Sequence, residues 1–256
     1  MNKYKKIVSI AATAVMCVAS MSVYAQEAQT DVIEAVAEKK QDTESSSVPV
    51  LQKEGIEISE GTGYDLSKEP GAATVKALEQ GTIVISYKTT SENAIQSLLS
   101  VGNGTKGNQD RHFHLYITNA GGVGMELRNT DGEFKYTLDC PAAVRGSYKG
   151  ERVSNTVALK ADKENKQYKL FANGELIATL DQEAFKFISD ITGVDNVMLG
   201  GTMRQGTVAY PFGGSIERMQ VYRDVLSDDE LIAVTGKTIY AENIFYAGDA
   251  TKSNYF

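Results

Sequence analysis

Asp110-Arg-His-Phe-His-Leu-Tyr-Ile-Thr-Asn-Ala-Gly-Gly-Val-Gly-Met-Glu-Leu-Arg-Asn129 alternates on both sides of a glycine-rich turn. Phe113, Leu115 and Ile117 are apolar, with His112, His114, Tyr116 and Thr118 between them; Val123, Met125 and Leu127 are apolar, with Gly124, Glu126 and Arg128 interleaved. Period-two alternation around a Gly-containing turn is an antiparallel hairpin with one buried face. The two apolar sets share that face only if paired residue numbers sum to an even value. A sum of 240 leaves a short turn around Asn119–Gly122 and sets Tyr116 opposite Gly124, His114 opposite Glu126 and His112 opposite Arg128. The outer face then carries a carboxylate, a guanidinium, a phenol and two imidazoles, with Gly124 leaving a notch beside them. Such a face suits a small polar ligand; the same residues also fit ordinary solvated positions on a half-exposed sheet.

Outward from the hairpin, nearly every segment from Val50 reads as a short strand. Ala72–Leu78, Thr82–Lys88, Gln96–Val101, Glu133–Cys140, Val153–Leu159, Gln167–Ala172, Glu175–Leu180, Val197–Gly200 and Ser215–Tyr222 are β-rich and separated by turn residues. Asn173-Gly174 is the strongest hairpin signal, because both residues tolerate positive φ. Strands at this spacing without intervening helices imply a two-sheet sandwich. Two helices are expected: one over Asp181–Ile191, and one opened by the capping box Ser227-Asp-Asp-Glu230 and stopped by Gly236.

The N-terminus reads as a secretion signal over residues 1–25: Lys3, Lys5 and Lys6, then an apolar run from Ile7 to Val18, then Val23-Tyr24-Ala25 before a cleavage point. That run is too short and too interrupted to span a membrane. Val15-Met16 before Cys17 disfavours a lipoprotein signal. Export leaves Cys140 alone, so no internal disulfide is available and the core must hold without staples. Residues 26–49 are acidic, poor in aromatics and end in Ser45-Ser46-Ser47, as expected of a disordered spacer. A formal charge of −7 argues against nucleic acid or anionic membrane as partner.

Tyr168-Lys-Leu-Phe-Ala-Asn-Gly-Glu-Leu176 together with Val221-Tyr-Arg-Asp-Val-Leu-Ser-Asp-Asp-Glu-Leu231 resembles the concanavalin-type jelly-roll domains. The resemblance implies an all-β sandwich of two antiparallel sheets with one or two short helices, a fold shared by lectins, laminin-type modules and glycosidases. Gln96-Ser-Leu-Leu-Ser-Val-Gly-Asn103, His112-Phe-His-Leu-Tyr116 and Glu126-Leu-Arg128 are similar to the sialic-acid-binding lectin module of bacterial sialidases, carbohydrate-binding module family 40. The similarity covers about Val50 to Val234 and is nearest to modules of intramolecular trans-sialidases or related gut-bacterial sialidases. It implies a module over residues 50–237. In residues 238–256, Asn243-Ile-Phe-Tyr-Ala-Gly-Asp249 and Asn254-Tyr-Phe256 resemble a linker and the first residues of a sialidase catalytic domain.

The resemblance also assigns roles. Arg128 and Arg204, the latter in Gly200-Gly-Thr-Met-Arg-Gln-Gly206, read as a loop freed by glycines, would clamp the carboxylate of sialic acid, since a guanidinium donates two parallel bonds. Glu126 would accept from the ligand amide or a ring hydroxyl, and Tyr210 would pack on the sugar's apolar face. By parity Asp110 and Tyr116 share the even-numbered outer face of the hairpin with Glu126 and Arg128, as second-rank contacts, and Ile95, in the loop before Gln96, would cover the acetyl methyl. The expected partners are glycans ending in α2,3- or α2,6-linked N-acetylneuraminic acid, and a catalytic domain in the parent chain. The module would be non-catalytic, extracellular or cell-surface associated, and without cofactor.

Other chemistry fits less well. His112 and His114 share a face, but the spacing offers no third metal ligand. Jelly-roll glycosidases place two carboxylates about the scissile bond, whereas Glu126 is followed on its face by Arg128. A laminin-type protein-binding module is the alternative function, and would use an apolar or calcium-centred surface. A glycoside hydrolase is the more distant one.

Overall fold

The computed structural model describes residues 47–105, 107, 110–130, 134–141 and 153–242, all within one unit, Ser47–Phe256. The expected signal and all but the end of the expected spacer therefore lie outside the described residues, as does the tail motif from Asn243.

Two six-stranded sheets share one core, and every strand pairing is antiparallel. The first runs β1 (Leu51–Ile58), β14 (Gly214–Tyr222), β3 (Gly81–Thr89), β8 (Asn155–Asp162), β9 (Gln167–Ala172) and β10 (Glu175–Asp181). The second runs β2 (Tyr64–Asp65), β11 (Asn196–Leu199), β4 (Ile95–Gly102), β5 (Arg111–Thr118), β6 (Val123–Asn129) and β7 (Phe134–Cys140). This is the expected sandwich. The β5–β6 hairpin has the expected register, with Tyr116 opposite Gly124, His114 opposite Glu126 and His112 opposite Arg128. Phe113, Leu115, Ile117, Val123, Met125 and Leu127 are all buried in the core between the sheets. Asn173 (φ 51) and Gly174 (φ 90) turn β9 into β10 in the left-handed region, as the dipeptide requires.

Four local expectations are corrected. Ala72–Leu78 is not a strand; helix α1 occupies Ala72–Lys76, and its buried residues Ala72 and Val75 stand three apart, the helical spacing. Asp181–Ile191 is not a helix. Asp181 ends β10 and its carboxylate accepts from Gln167 Nε2 at 2.6 Å, so it caps nothing. The chain turns at Glu183–Ala184, stacks Phe185 on Tyr168 at 4.8 Å, buries Phe187 in an extended conformation, and makes a single 3-10 turn at Ile188–Asp190. The capping box is present: Ser227 N donates to Glu230 Oε2 at 2.7 Å, and Glu230 N to Ser227 Oγ at 3.2 Å. Gly236 does not end the helix, which continues as α2 (Asp228–Glu242). A Cβ on Gly174 would lie 3.2 Å from Gly236 Cα, so the glycines allow close approach of hairpin and helix.

The fourth correction concerns Gly200–Gly206. Its latter part forms a second hairpin, β12 (Thr202–Arg204) with β13 (Thr207–Ala209), turning at Gln205 (φ 52) and Gly206 (φ 78). Lacking pairing to either large sheet, it stands over the outer face of the second. β1 also escaped the pattern, because Gly55 (φ 64) breaks its alternation.

Candidate functional site

The outer face of β5 and β6 is not a solvated sheet face. His112, His114 and Tyr116 are 1%, 3% and 7% exposed. His114 lies between the rings of Tyr116 and Tyr210, with centroids 4.7 and 5.1 Å away. Its Nδ1 is 3.4 Å from Thr202 Oγ1, which also bonds Ser97 Oγ at 3.1 Å. A buried polar layer thus ties the β12–β13 hairpin to the sheet. Burial, then the neighbouring His112, lowers the His114 pKa to about 3, against the pull of Glu126. The imidazole is neutral, and its place is beneath the site.

Nor does Gly124 leave an open notch. A Cβ there would sit 2.3 Å from Asp139 Oδ1 and 2.4 Å from Tyr116 Cζ, so the Tyr116 ring already fills the space. The Tyr116 hydroxyl donates to Asp139. Burial, then that bond, raises its pKa and keeps it a donor.

The polar groups gather one step along the face. Arg204, on β12, donates from Nη2 to Asp110 Oδ1 at 2.9 Å and from Nη1 to the Tyr210 hydroxyl at 2.8 Å. Arg128, on β6, brings Nη1 to 3.3 Å from the same Asp110 oxygen and 3.5 Å from Glu126 Oε1. Glu126 Oε1 also lies 3.2 Å from His112 Nε2, and Oε2 lies 3.5 Å from Lys135 Nζ. Burial works to raise the Glu126 pKa, but the His112 bond and the Arg128 charge overcome it and hold the carboxyl down to about 2. The group is therefore an ionised acceptor. Tyr210 sits in the left-handed region (φ 52), unusual for an aromatic residue, with its carbonyl accepting from Ser97 N at 2.9 Å. That conformation turns its ring over His114 and against Arg204, whose Cζ is 5.6 Å from the ring centroid.

Arg128, Arg204, Glu126, Asp110 and Tyr210 are thus one connected cluster, although Arg204 and Asp110 are far apart in sequence. Tyr116 joins it through the ring of His114. Ile95 opens β4 opposite Thr118, on the same face but at the end away from Arg128. Beside Arg128 lies an open depression of about 280 Å³ lined by Asp110, Arg128, Asn129, Thr130, Phe134 and Lys135. Sequence reasoning missed Lys135, Asp139 and the contact of His112 with Glu126. A signal existed for the first two: Phe134, Tyr136 and Leu138 alternate apolar, so Lys135, Thr137 and Asp139 continue the outer face, opposite Arg128, Glu126 and Gly124.

The third metal-ligating group that spacing did not reveal is Glu126. His112, His114 and Glu126 offer ligand atoms within 4.8 Å of one another. The Glu126 carboxylate is already engaged by His112 and Arg128, and the Arg204 and Arg128 charges oppose a cation at this corner. Among the described residues, no helix is long and apolar enough to cross a membrane.

The cluster can therefore grip a small anion bearing hydrogen-bond donors, with two guanidiniums for the anion and one carboxylate for a donor. A family model described as the sialidase N-terminal domain matches residues 33–238. The carbohydrate-binding module (CBM40) of Ruminococcus gnavus IT-sialidase, solved bound to α2,6-sialyllactose, is 99% identical; the match covers 74% of this chain and 100% of that one, with a TM-score of 0.73. The same module with α2,3-sialyllactose is 96% identical, over 74% and 100% of the two chains, with a TM-score of 0.71. Anhydrosialidase of Macrobdella decora is 64% identical over 244 residues, which is 93% of this chain and 32% of that protein. Sialidase B of Streptococcus pneumoniae is 30% identical over 178 residues, 70% of this chain and 25% of that one. The chain thus spans about a third or less of these two relatives. It belongs to the family of sialidase N-terminal domains.

Proposed function

We propose that this chain is a non-catalytic module that binds terminal sialic acid and holds an attached sialidase on sialylated glycans such as mucins. The observation that carries the reading is the convergence of Arg128 and Arg204 on one oxygen of Asp110, beside the ionised Glu126. A sialic acid carboxylate accepts from the two guanidiniums, its amide N–H or a hydroxyl donates to Glu126, and Tyr210 offers ring surface to the sugar. Ile95 and Tyr116 supply the apolar end of the face. The near identity to a module solved with sialyllactose supports the same ligand class.

The module does not cleave its ligand. A glycosidase acid needs a raised pKa, whereas the His112 hydrogen bond and then the Arg128 charge hold Glu126 at about 2 despite its burial. Residues 1–25 export it, residues 26–49 space it, the binding module spans 50–237, and residues 238–256 lead into the catalytic domain. The parent chain is a sialidase or trans-sialidase acting outside the cell. Titration of the chain with sialyllactose and with lactose tests the reading: binding of the first alone is expected, and equal behaviour of the two sugars would overturn it.

A further inference from the structure

Glu126 rests on a residue to which no role has so far been given. His112 is 1% exposed and its Nε2 lies 3.2 Å from Glu126 Oε1. An ionised carboxylate only accepts hydrogen bonds, so Nε2 carries a proton and donates it to Glu126. The Nδ1 of His112 is buried without a hydrogen-bond partner. An unpartnered buried nitrogen is a standing cost, and a side chain serving only to fill space would be better replaced by phenylalanine or leucine. The ring is also closely packed. Its edge meets His114 at 5.2 Å and 86°. On β4 it faces Gly102, where a Cβ would lie 2.8 Å from His112 Cβ, so the strands approach closely beside it.

The other contacts of Glu126 are looser. Arg128 Nη1 is 3.5 Å from Oε1, and Lys135 Nζ is 3.5 Å from Oε2, on a side chain 57% exposed. Without His112 the carboxylate is free to close on Arg128, which would occupy the guanidinium meant for the ligand anion. We propose that His112 is the positioning residue of the site: its Nε2–H donates to Glu126, aims it at the ligand's donor and keeps it from neutralising Arg128. This rests on the sialic-acid reading above.

His112→Phe keeps the ring and removes the donor, whereas His112→Gln keeps an N–H of similar reach. With 3′-sialyllactose as probe, His112→Phe is expected to weaken binding about tenfold, the loss of one charge-assisted hydrogen bond. His112→Gln is expected to restore most of it, both variants melting cooperatively. In nitrogen-15 histidine spectra of the ligand-free parent, His112 should carry a proton on Nε2. Parent-like binding by a folded His112→Phe, an equal loss in folded His112→Gln, or a proton on Nδ1 alone would each overturn the role. If His112→Phe does not fold, the tautomer decides. A parent chain that ignores sialyllactose would remove the sialic-acid reading and this role with it. A parent that binds, with an indifferent His112→Phe, removes the role alone.

Discussion

Asp110 Oδ1 accepts from Arg204 Nη2 at 2.9 Å, joining two residues 94 positions apart. The same oxygen stands 3.3 Å from Arg128 Nη1, so one carboxylate keeps two like-charged guanidiniums side by side. Asp110→Asn leaves a hydrogen-bonding oxygen but removes the charge that offsets their repulsion. The variant should bind sialyllactose roughly tenfold more weakly, on the scale of one hydrogen bond to a charged group, with little change in melting. Calorimetric titration reads the loss; parent-like affinity would mean that the arginines hold themselves in place.

Arg128→Ala should abolish measurable binding, and Arg204→Ala should weaken it less severely. Each removes charge-assisted bonds of about 1.5–3 kcal/mol, a large share of a small total. Arg128 and Arg204 side chains are 26% and 24% exposed, so melting temperatures should barely move. Arg128→Lys should fail as well, since an ammonium lacks the planar fork. Unimpaired binding by the alanine variants would place the site elsewhere.

Gly124→Ala tests the filled notch. The new methyl would meet Asp139 Oδ1 and the Tyr116 ring at less than 2.5 Å, displacing the ring that backs His114. Overpacking of this kind costs about 1–3 kcal/mol, which urea unfolding would register. An unchanged midpoint would mean that the face yields more easily than its packing implies.

The hairpin register was legible because its two apolar sets admit only one parity, and β7 continues the pattern through Phe134, Tyr136 and Leu138. The environment of that face was not legible. Alternation says which side chains point outward; it does not say that Thr202 and Tyr210, some ninety residues later, come back to cover His114. The β12–β13 hairpin has three-residue strands, too short to show a period. The Asp181–Ile191 segment misled for a related reason. Its terminal acid looks like a cap, whereas the Tyr168 ring that Phe185 stacks on lies on another strand and is invisible in the local pattern. Arg204 and Tyr210 were assigned by resemblance, and Asp110 by parity; the contact that links Asp110 to Arg204 is long-range and leaves no local trace.

Stability should depend on His114 at mildly acid pH. Burial, followed by His112, holds its pKa near 3 in the fold, with Arg204 and Arg128 adding to the effect, against 6.5 for an unperturbed histidine. As pH falls below 6.5 the unfolded chain takes up a proton that the folded chain refuses, so stability drops. The limiting slope is about 1.4 kcal/mol per pH unit. Glu126 adds its own loss only from about 4.5 downward, its folded pKa being about 2. Urea unfolding at pH 7, 6 and 5 should show the parent weakening and His114→Gln weakening less. Parallel slopes would mean that His114 becomes protonated without unfolding.

Binding should be weak and tolerant of linkage. A sialic acid has roughly 20 non-hydrogen atoms, and about 0.3 kcal/mol per atom gives about 6 kcal/mol, a dissociation constant of tens of micromolar. The cluster lies beside an open depression, its arginines are a quarter exposed, and Asp110 already engages both. Much of the sugar therefore stays wet, and each new bond replaces one to water or to Asp110. The constant should fall in the high micromolar to millimolar range. A module this weak works by tethering, raising the local concentration of a linked enzyme on a surface dense in sialic acid. With contacts confined to the terminal sugar, α2,3- and α2,6-sialyllactose should agree within about a factor of three, under 1 kcal/mol, and lactose should not bind. Titration of the three sugars checks this. A nanomolar constant, or strict choice of one linkage, would mean that the second sugar is gripped too, and the depression along Phe134 and Lys135 would be the first place to look for it.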